Sequence, residues 1–281
     1  MRNRHLLLSS VLLALTVAAC GSETAAPGGG PAAEGSSAAP EPPALTGADV
    51  HWGYSGEVRP ARWGGLAADF TACGSGDELS PIDLRTGRAA GGEDLELDYG
   101  DIDEHLVDNG HSVQVVNDDE DEDVDDQLEV GGVDHRLDQL HFHAPSEHTV
   151  DGRRSPVEFH FVHVAEDGSL AVVAALAAVS GSDDPDWQPF VDAVGDLEAA
   201  GTGEGLADEL DVAALLPRST EHWAYEGSLT TPPCSEGVHW MVLDHPVTLG
   251  ADQVAVLQEA YADNNRPVQP VAGREVDLLA R

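Results

Sequence analysis

Residues 139–163 read QLHFHAPSEHTVDGRRSPVEFHFVH, and their spacing decides the fold class. His141 and His143 flank Phe142. A β-strand sends residues i and i+2 to the same face, so these two imidazoles leave one strand on one side. His160 stands in a second alternating run, Val157 to Val162, from which it can meet them across a neighbouring strand. Three neutral imidazoles meeting at one point, with no fourth protein ligand, form the pattern of a catalytic zinc site with an open position. A single H-x-H pair reads more simply as two histidines on a wet sheet face. The whole constellation, with the acids Glu147 and Glu158 interleaved, favours the metal reading.

Outward from this stretch the chain keeps the two-residue period. Alternating runs span Leu95 to Tyr99, Ser112 to Val116, Gln127 to Val130, Leu137 to His143, Val157 to Val164, Leu170 to Val179 and Val238 to Leu243, with turn residues between them. Helical spacing is clearest from Thr248 to Asp263, where Val254, Leu257 and Tyr261 recur. Asp186 to Leu216 permits one or two short helices. No internal repeat is evident. The pattern predicts a β-rich domain with few helices, and residues 48–281 suit one large domain.

The first twenty residues have the form of a bacterial lipoprotein signal. Arg2 and Arg4 precede an apolar run, Leu6 to Val17, too short to span a bilayer comfortably, and Val17-Ala18-Ala19-Cys20 resembles a lipobox. Lipid on Cys20 would tether the chain to the outer face of the cell membrane without a transmembrane helix. Residues 21–47 are almost wholly Gly, Ala, Pro, Ser and Glu. Such a stretch buries too little apolar surface to offset its ordering entropy and predicts a flexible linker.

The charge is extreme: 52 acidic residues face 13 basic ones, all arginine, for a net charge of −39. That excludes a surface for nucleic acid or anionic lipid. The densest acidic run, Asp118 to Asp126, lacks the glycine and terminal glutamate of an EF-hand loop and reads as a solvated hairpin tip. With Cys20 assigned to the lipobox, Cys73 and Cys234 are an even pair in an exported chain. That favours a disulfide over two buried free thiols.

The histidine stretch resembles the zinc-binding core of the α-class carbonic anhydrases. HWGYSG at 51–56, SPIDL at 80–84, NGHSVQV at 109–115, SLTTPP at 228–233 and NNRPVQP at 264–270 match the family in its own order. The resemblance covers the chain from about residue 48 to its end. It implies a single domain built on a large twisted, mostly antiparallel central sheet with peripheral helices. It also implies zinc-dependent, reversible hydration of carbon dioxide to bicarbonate and a proton, by zinc-hydroxide attack with a histidine proton shuttle.

By the same resemblance, Zn2+ is held by His141, His143 and His160. Gln139 orients His141, and Glu158 orients His160. Thr230 passes its hydroxyl proton to the buried Glu147. Val162, Val172, Leu229, Val238 and Trp240 form an apolar wall for carbon dioxide, while Thr231 and Gln114 line the polar side. His111 occupies the shuttle position. A bridge between the segments carrying Cys73 and Cys234 resembles that of bacterial members. Three departures stand out: Gln114 replaces the commoner asparagine, HFHAPSEH lacks the longer loop of animal members, and the acidic run at Asp118 to Asp126 is heavier than usual. Two other functions were weighed. A binding module that has lost activity generally lacks a zinc histidine, and all three are present. Ester hydrolysis would need no more than the same nucleophile and is expected as a side activity.

Overall fold

A computed structural model describes residues 50–91, 95, 97–99, 104–117, 127–197 and 210–280. Short 3-10 turns occupy Gly56–Val58, Pro60–Gly65 and Ala68–Phe70. The strands, in chain order, are β1 (Asp83–Leu84), β2 (Ala90–Gly91), β3 (Leu97–Asp98), β4 (Glu104–Asp108), β5 (Val113–Asn117), β6 (Gln127–Val130), β7 (Val133–His143) and β8 (Thr149–Val150). They continue as β9 (Arg153–Arg154), β10 (Glu158–Ala165), β11 (Leu170–Ser180), β12 (His222–Ser228), β13 (Glu236–Leu243), β14 (Val247–Gly250) and β15 (Asp277–Ala280). The α-helices are α1 (Ala72–Ser75), α2 (Gln188–Asp196), α3 (Val212–Leu215) and α4 (Ala251–Ala260).

Twelve of the described strands join in one sheet whose central order is β2-β15-β12-β13-β11-β10-β7-β5-β4. The β7–β10, β10–β11, β12–β13, β5–β7 and β4–β5 pairs are antiparallel, while β11–β13 is parallel. The expected β-rich class, with few helices, is what the chain forms. None of the described helices is long and apolar enough to cross a membrane.

The two faces of this sheet do different work, as a period of two dictates. Leu140, Phe142, Phe159, Phe161, Val173 and Ala175 point to the face covered by α2, α3 and α4. There Phe159 stacks on Trp187 at 3.8 Å, and both pack edge-on to Phe190. Each buried phenylalanine contributes about 1.5–3 kcal/mol of apolar transfer. The alternate residues make a second apolar cluster, with Val162, Val172, Ala174, Val238, Trp240 and Tyr225. Next to that cluster, His141 and His160 face each other across β7 and β10. Gly227 permits the close packing there: a Cβ on it would come within 2.2 Å of Ser80 Oγ and 2.9 Å of the Trp240 ring.

Three expectations are corrected. The helix expected over Thr248 to Asp263 covers only Ala251–Ala260, because Val247–Gly250 pairs in parallel with β11. The strand β12, HWAYEGS, was not anticipated; its small and charged residues break the apolar alternation. Finally, β5 and β6 both run antiparallel to β7, pairing at Gln139–His141 and Val133–Arg136 respectively. They therefore follow each other in one direction along β7 and do not form a hairpin. The acidic run between them, Asp118 to Asp126, lies outside the described residues, as do residues 1–20 and 21–47.

A third apolar cluster joins Trp63, Phe70, Leu79, Cys73 and Cys234. Cys73 and Cys234 are disulfide-bonded across a sequence separation of 161. The bridge ties α1 to the loop after β12. Closing so long a loop contributes on the order of 4–5 kcal/mol in the chain-entropy model. We expect the double variant Cys73→Ser, Cys234→Ser to unfold at a clearly lower urea concentration than the oxidised protein. Coincident unfolding curves would show that the bridge adds nothing to stability.

Candidate metal centre

β7 and β10 place the three histidines by register alone. His141 lies opposite His160, and His143 lies opposite Glu158. The ring centroids are 4.8–5.0 Å apart, and one nitrogen from each ring falls within 4.8 Å of the others. His143 and His160 are buried, and His141 is half-buried.

Every one of the three rings has its remaining nitrogen committed to an acceptor. His141 Nδ1 donates to Gln139 Oε1 at 2.8 Å. His143 Nδ1 donates to the backbone carbonyl of Asn264 at 2.6 Å. His160 Nε2 donates to Glu158 Oε1 at 2.8 Å. An amide oxygen, a carbonyl and a carboxylate can only accept, so each contact fixes the tautomer. His141 Nε2, His143 Nε2 and His160 Nδ1 are thereby left with lone pairs. The first two stand 3.1 Å apart with no proton to share. Bare nitrogens this close repel one another, and a cation between them removes the repulsion. Burial, reinforced by the neighbouring imidazoles, holds the His141 pKa well below 6.5, and burial likewise lowers that of His143. Both rings are thus kept in the neutral form that binds metal. Three imidazoles and an open fourth position suit Zn2+.

Glu158 holds the arrangement from beneath. It is fully buried, and its carboxylate receives four N–H groups. Oε2 accepts from the backbones of Glu147 and His148, both at 2.8 Å. Oε1 accepts from His160 and from His148 Nδ1, the latter at 2.6 Å. Burial alone would raise its pKa. The pull of His148 and His160, with their hydrogen bonds, overcomes this and holds it well below the usual carboxylate range. The chain of bonds runs on from His148 Nε2 to the Tyr225 hydroxyl at 2.7 Å and from there to Ser80 Oγ at 2.9 Å. Ser80 Oγ in turn accepts the Ser228 N–H at 3.1 Å, just ahead of Leu229 and Thr230.

Above the histidines opens a cavity of about 120 Å³. Its apolar side is Val162, Val172, Leu229 and Trp240, and its polar side includes Gln114, Thr230, Thr231 and Gln139. His111 lines the mouth, its ring stacked on Trp52 at 3.6 Å. Burial and the nearby His51 lower the His111 pKa, while Asp108 opposes them. Val238 shares one apolar cluster with Val162, Val172 and Trp240 but is not among the residues that line the cavity. Glu147 Oε1 accepts the Arg266 N–H at 2.7 Å. Its Oε2 is buried without a hydrogen-bond partner, 3.5 Å from His143 Nε2. The Thr230-to-Glu147 hydrogen bond that the resemblance implies is therefore not formed here. A buried, unpartnered carboxylate oxygen beside His143 Nε2 adds negative charge next to the three-histidine group.

Sequence reasoning missed the roles of Trp52, His148, Tyr225 and Asn264. HWGY carried an exposed aromatic signal, but nothing in it says which ring the Trp would stack on. His148 follows Glu147 directly, yet its partner Glu158 is ten residues away.

The buried three-histidine floor under a half-apolar cavity is a group that could hold a metal ion. Comparison with known proteins agrees. The model of the eukaryotic-type carbonic anhydrase family matches residues 58–279. A carbonic anhydrase of Pectobacterium carotovorum is 40% identical over 230 residues, covering 80% of this chain and 89% of that protein. The α-carbonic anhydrase of Thermovibrio ammonificans, solved with the inhibitor sulfanilamide, superposes with a TM-score of 0.74 at 36% identity, covering 81% of this chain and 98% of that one. The α-carbonic anhydrase of Photobacterium profundum gives 0.73 at 36% identity, covering 82% and 100%. The chain belongs to this α-class family and is a carbonic anhydrase, an enzyme of carbon dioxide hydration.

Acid should weaken the metal-free protein in a defined direction. Burial sets His163 at about 3 and lowers His141 and His143 below 6.5. For such groups the unfolded chain binds more protons below 6.5, so stability is lost as pH falls through that value. Glu158 adds to this at lower pH: its depressed pKa gives a stabilisation that is complete above the ordinary carboxylate range and lost below it. We expect the thermal midpoint of chelated protein to fall steadily between about pH 7 and about pH 4. A flat profile over that interval would contradict the neutral, buried state of these rings.

Proposed function

We propose that the protein is a zinc enzyme whose ion is held by His141 Nε2, His143 Nε2 and His160 Nδ1. The observation that carries this reading is the set of three bare imidazole nitrogens within 4.8 Å, each fixed by a hydrogen bond at the other side of its ring. A zinc ion bound there supplies a strong nucleophile at neutral pH by bringing the pKa of its water to about 7, carbonic anhydrase being the standard example.

The remaining steps belong to the chain. Val162, Val172, Leu229 and Trp240 hold carbon dioxide in an apolar pocket where water competes poorly. On this reading a turn of the Thr230 side chain lets its hydroxyl donate a hydrogen bond to Glu147 Oε2, the buried oxygen left without a partner, and leaves a lone pair facing the cavity. His111 takes the proton released in each cycle and passes it to solvent. An imidazole suits this task because its pKa lies near that of the group it relieves. Thr231 and Gln114 hold water on the path between.

The experiment combines zinc analysis with stopped-flow hydration of carbon dioxide. His160→Ala should bring bound zinc from about one per chain to near none and abolish hydration. His111→Ala should keep its zinc and lower kcat in dilute buffer by about tenfold or more, with kcat/KM little changed. Added imidazole should restore much of that loss. Full zinc and rate in His160→Ala would sink the ligand set. A kcat indifferent to His111→Ala, or a deficit no buffer can rescue, would remove the relay.

We further infer that residues 1–20 direct export, that Cys20 carries lipid, and that residues 21–47 tether a catalytic domain, residues 48–281, at the outer face of the cell membrane. The VAAC site and the composition of the following stretch support this. On this reading the membrane is reached only through the lipid, and the small-molecule substrate pair is carbon dioxide and bicarbonate. Wild-type protein should partition with membranes and Cys20→Ser should be released. Equal partitioning of the two would refute lipid anchoring.

A further inference from the structure

Asn264 touches both halves of the machinery. Its backbone carbonyl anchors His143. Its side chain reaches the other way: Oδ1 accepts the Ala144 N–H at 2.7 Å, and Nδ2 donates to the carbonyls of His111 and Phe142, both at 3.1 Å. One N–H faces the oxygen and two carbonyls face the nitrogen, so only one orientation of the amide satisfies all three. The residue is 2% exposed, and no solvent replaces a bond it loses.

The His111 loop is the turn between the paired strands β4 and β5, so the sheet fixes its two ends at Asp108 and Val113. Asn109 Oδ1 accepts from the N–H groups of His111 and Ser112, and Asp108 Oδ1 accepts from Gly110. These bonds are internal to the loop; from outside it, the Tyr261 hydroxyl donates to the same Asp108 carboxylate. Ser112 Oγ reaches Phe142 on β7 at 2.7 Å. At His111 itself the N–H donates to Asn109 within the loop, the carbonyl accepts from Asn264 Nδ2, and the ring stacks on Trp52.

We propose that the Asn264 side chain is a positioning residue that fixes the His111 loop at a set distance from the metal histidines. The inference rests on the relay and zinc readings above. The same buried residue holds His143 through its main chain and His111 through its side chain. A shift of one is thereby transmitted to the other. Proton transfer depends steeply on the path between donor and acceptor. A brace of this kind keeps the path constant while the ring exchanges protons with solvent.

Asn264→Asp separates the two functions of the residue. The main-chain carbonyl that anchors His143 remains, and an oxygen still faces Ala144. The two donated bonds become oxygen against carbonyl oxygen. We expect zinc near one per chain, and kcat in dilute buffer lowered about fivefold, the equivalent of one lost hydrogen bond. The value of kcat/KM should change less than kcat. Independently of activity, the His111 ring protons should lose the upfield NMR shift that stacking on Trp52 imposes. An equal fall in kcat and kcat/KM, together with zinc loss, would assign the residue to the metal site alone and overturn the proposal. An unmoved His111 signal would overturn it too. Should the variant not fold, the wild type decides: both Asn264 side-chain amide protons should exchange slowly with solvent, and rapid exchange would refute the brace. The NMR shift and the exchange rate require neither zinc nor a working relay, so failure of the brace stays separable from failure of the relay reading.

Discussion

A single buried carboxylate, Glu158, organises the site. Placing its charge in the interior costs several kcal/mol, and only complete hydrogen bonding offsets that cost. Four N–H donors converge on it, two from backbone and two from imidazoles. The backbone pair fixes the turn carrying Glu147 and His148. One imidazole belongs to the metal set, and the other leads through Tyr225 and Ser80 to the end of β12. An amide in its place would set an NH2 against N–H donors. The two strands of the metal site and the loop of Thr230 thus take their positions from one charge.

Around that charge, rigid and adjustable parts divide cleanly. The three histidines, Gln139, Val162, Val172 and Trp240 stand on paired strands, where register leaves them no freedom. A site on strands holds its geometry better than one on loops. Leu229, Thr230 and Thr231 lie on a loop tied down by the disulfide at Cys234 and by the Ser80–Ser228 bonds. His111 and Asn264 lie on loops that hold each other. The chemistry that needs fixed distances is on the sheet, and the group that must meet solvent is on a loop.

Much of this was legible before any coordinates. The H-x-H spacing and the alternating run around His160 gave the facing strands, because a two-residue period leaves few other solutions. Gln139 and Glu158 were legible for the same reason, each two residues from the ring it holds. What remained hidden depends on contacts between distant parts of the chain. Asn264 meets residues more than a hundred positions away, and no local period marks it. β12 was missed because Gly227 and Glu226 interrupt its pattern, although Gly227 is there for close packing against Ser80 and Trp240. Val238, assigned to the cavity wall on family likeness, packs in the same apolar cluster as Val162, Val172 and Trp240 without itself lining the cavity.

The composition itself has a structural reading. A chain with 52 acids and no lysine has few cations to place, and several of the described arginines donate to carbonyl oxygens. Arg266, buried over Trp63, donates to the carbonyls of Ser80 and Cys73. Arg274 donates to those of Leu79, Glu226, Pro270 and Val271, with its guanidinium over Tyr225. Arg154 donates to those of Ser146 and Glu147. Each spans segments that the sheet does not pair. A guanidinium does this because its planar fork offers five donors in fixed directions and stacks on aromatic rings. A lysine ammonium is more strongly hydrated and lacks the fork, so it would fasten one carbonyl where arginine fastens two or more. Among this many acids an exposed cation would gain only weak, screened attraction. The same charge placed over a ring and against two carbonyls joins the segments around Ser80, Glu147 and Tyr225, the surroundings of Glu158 itself.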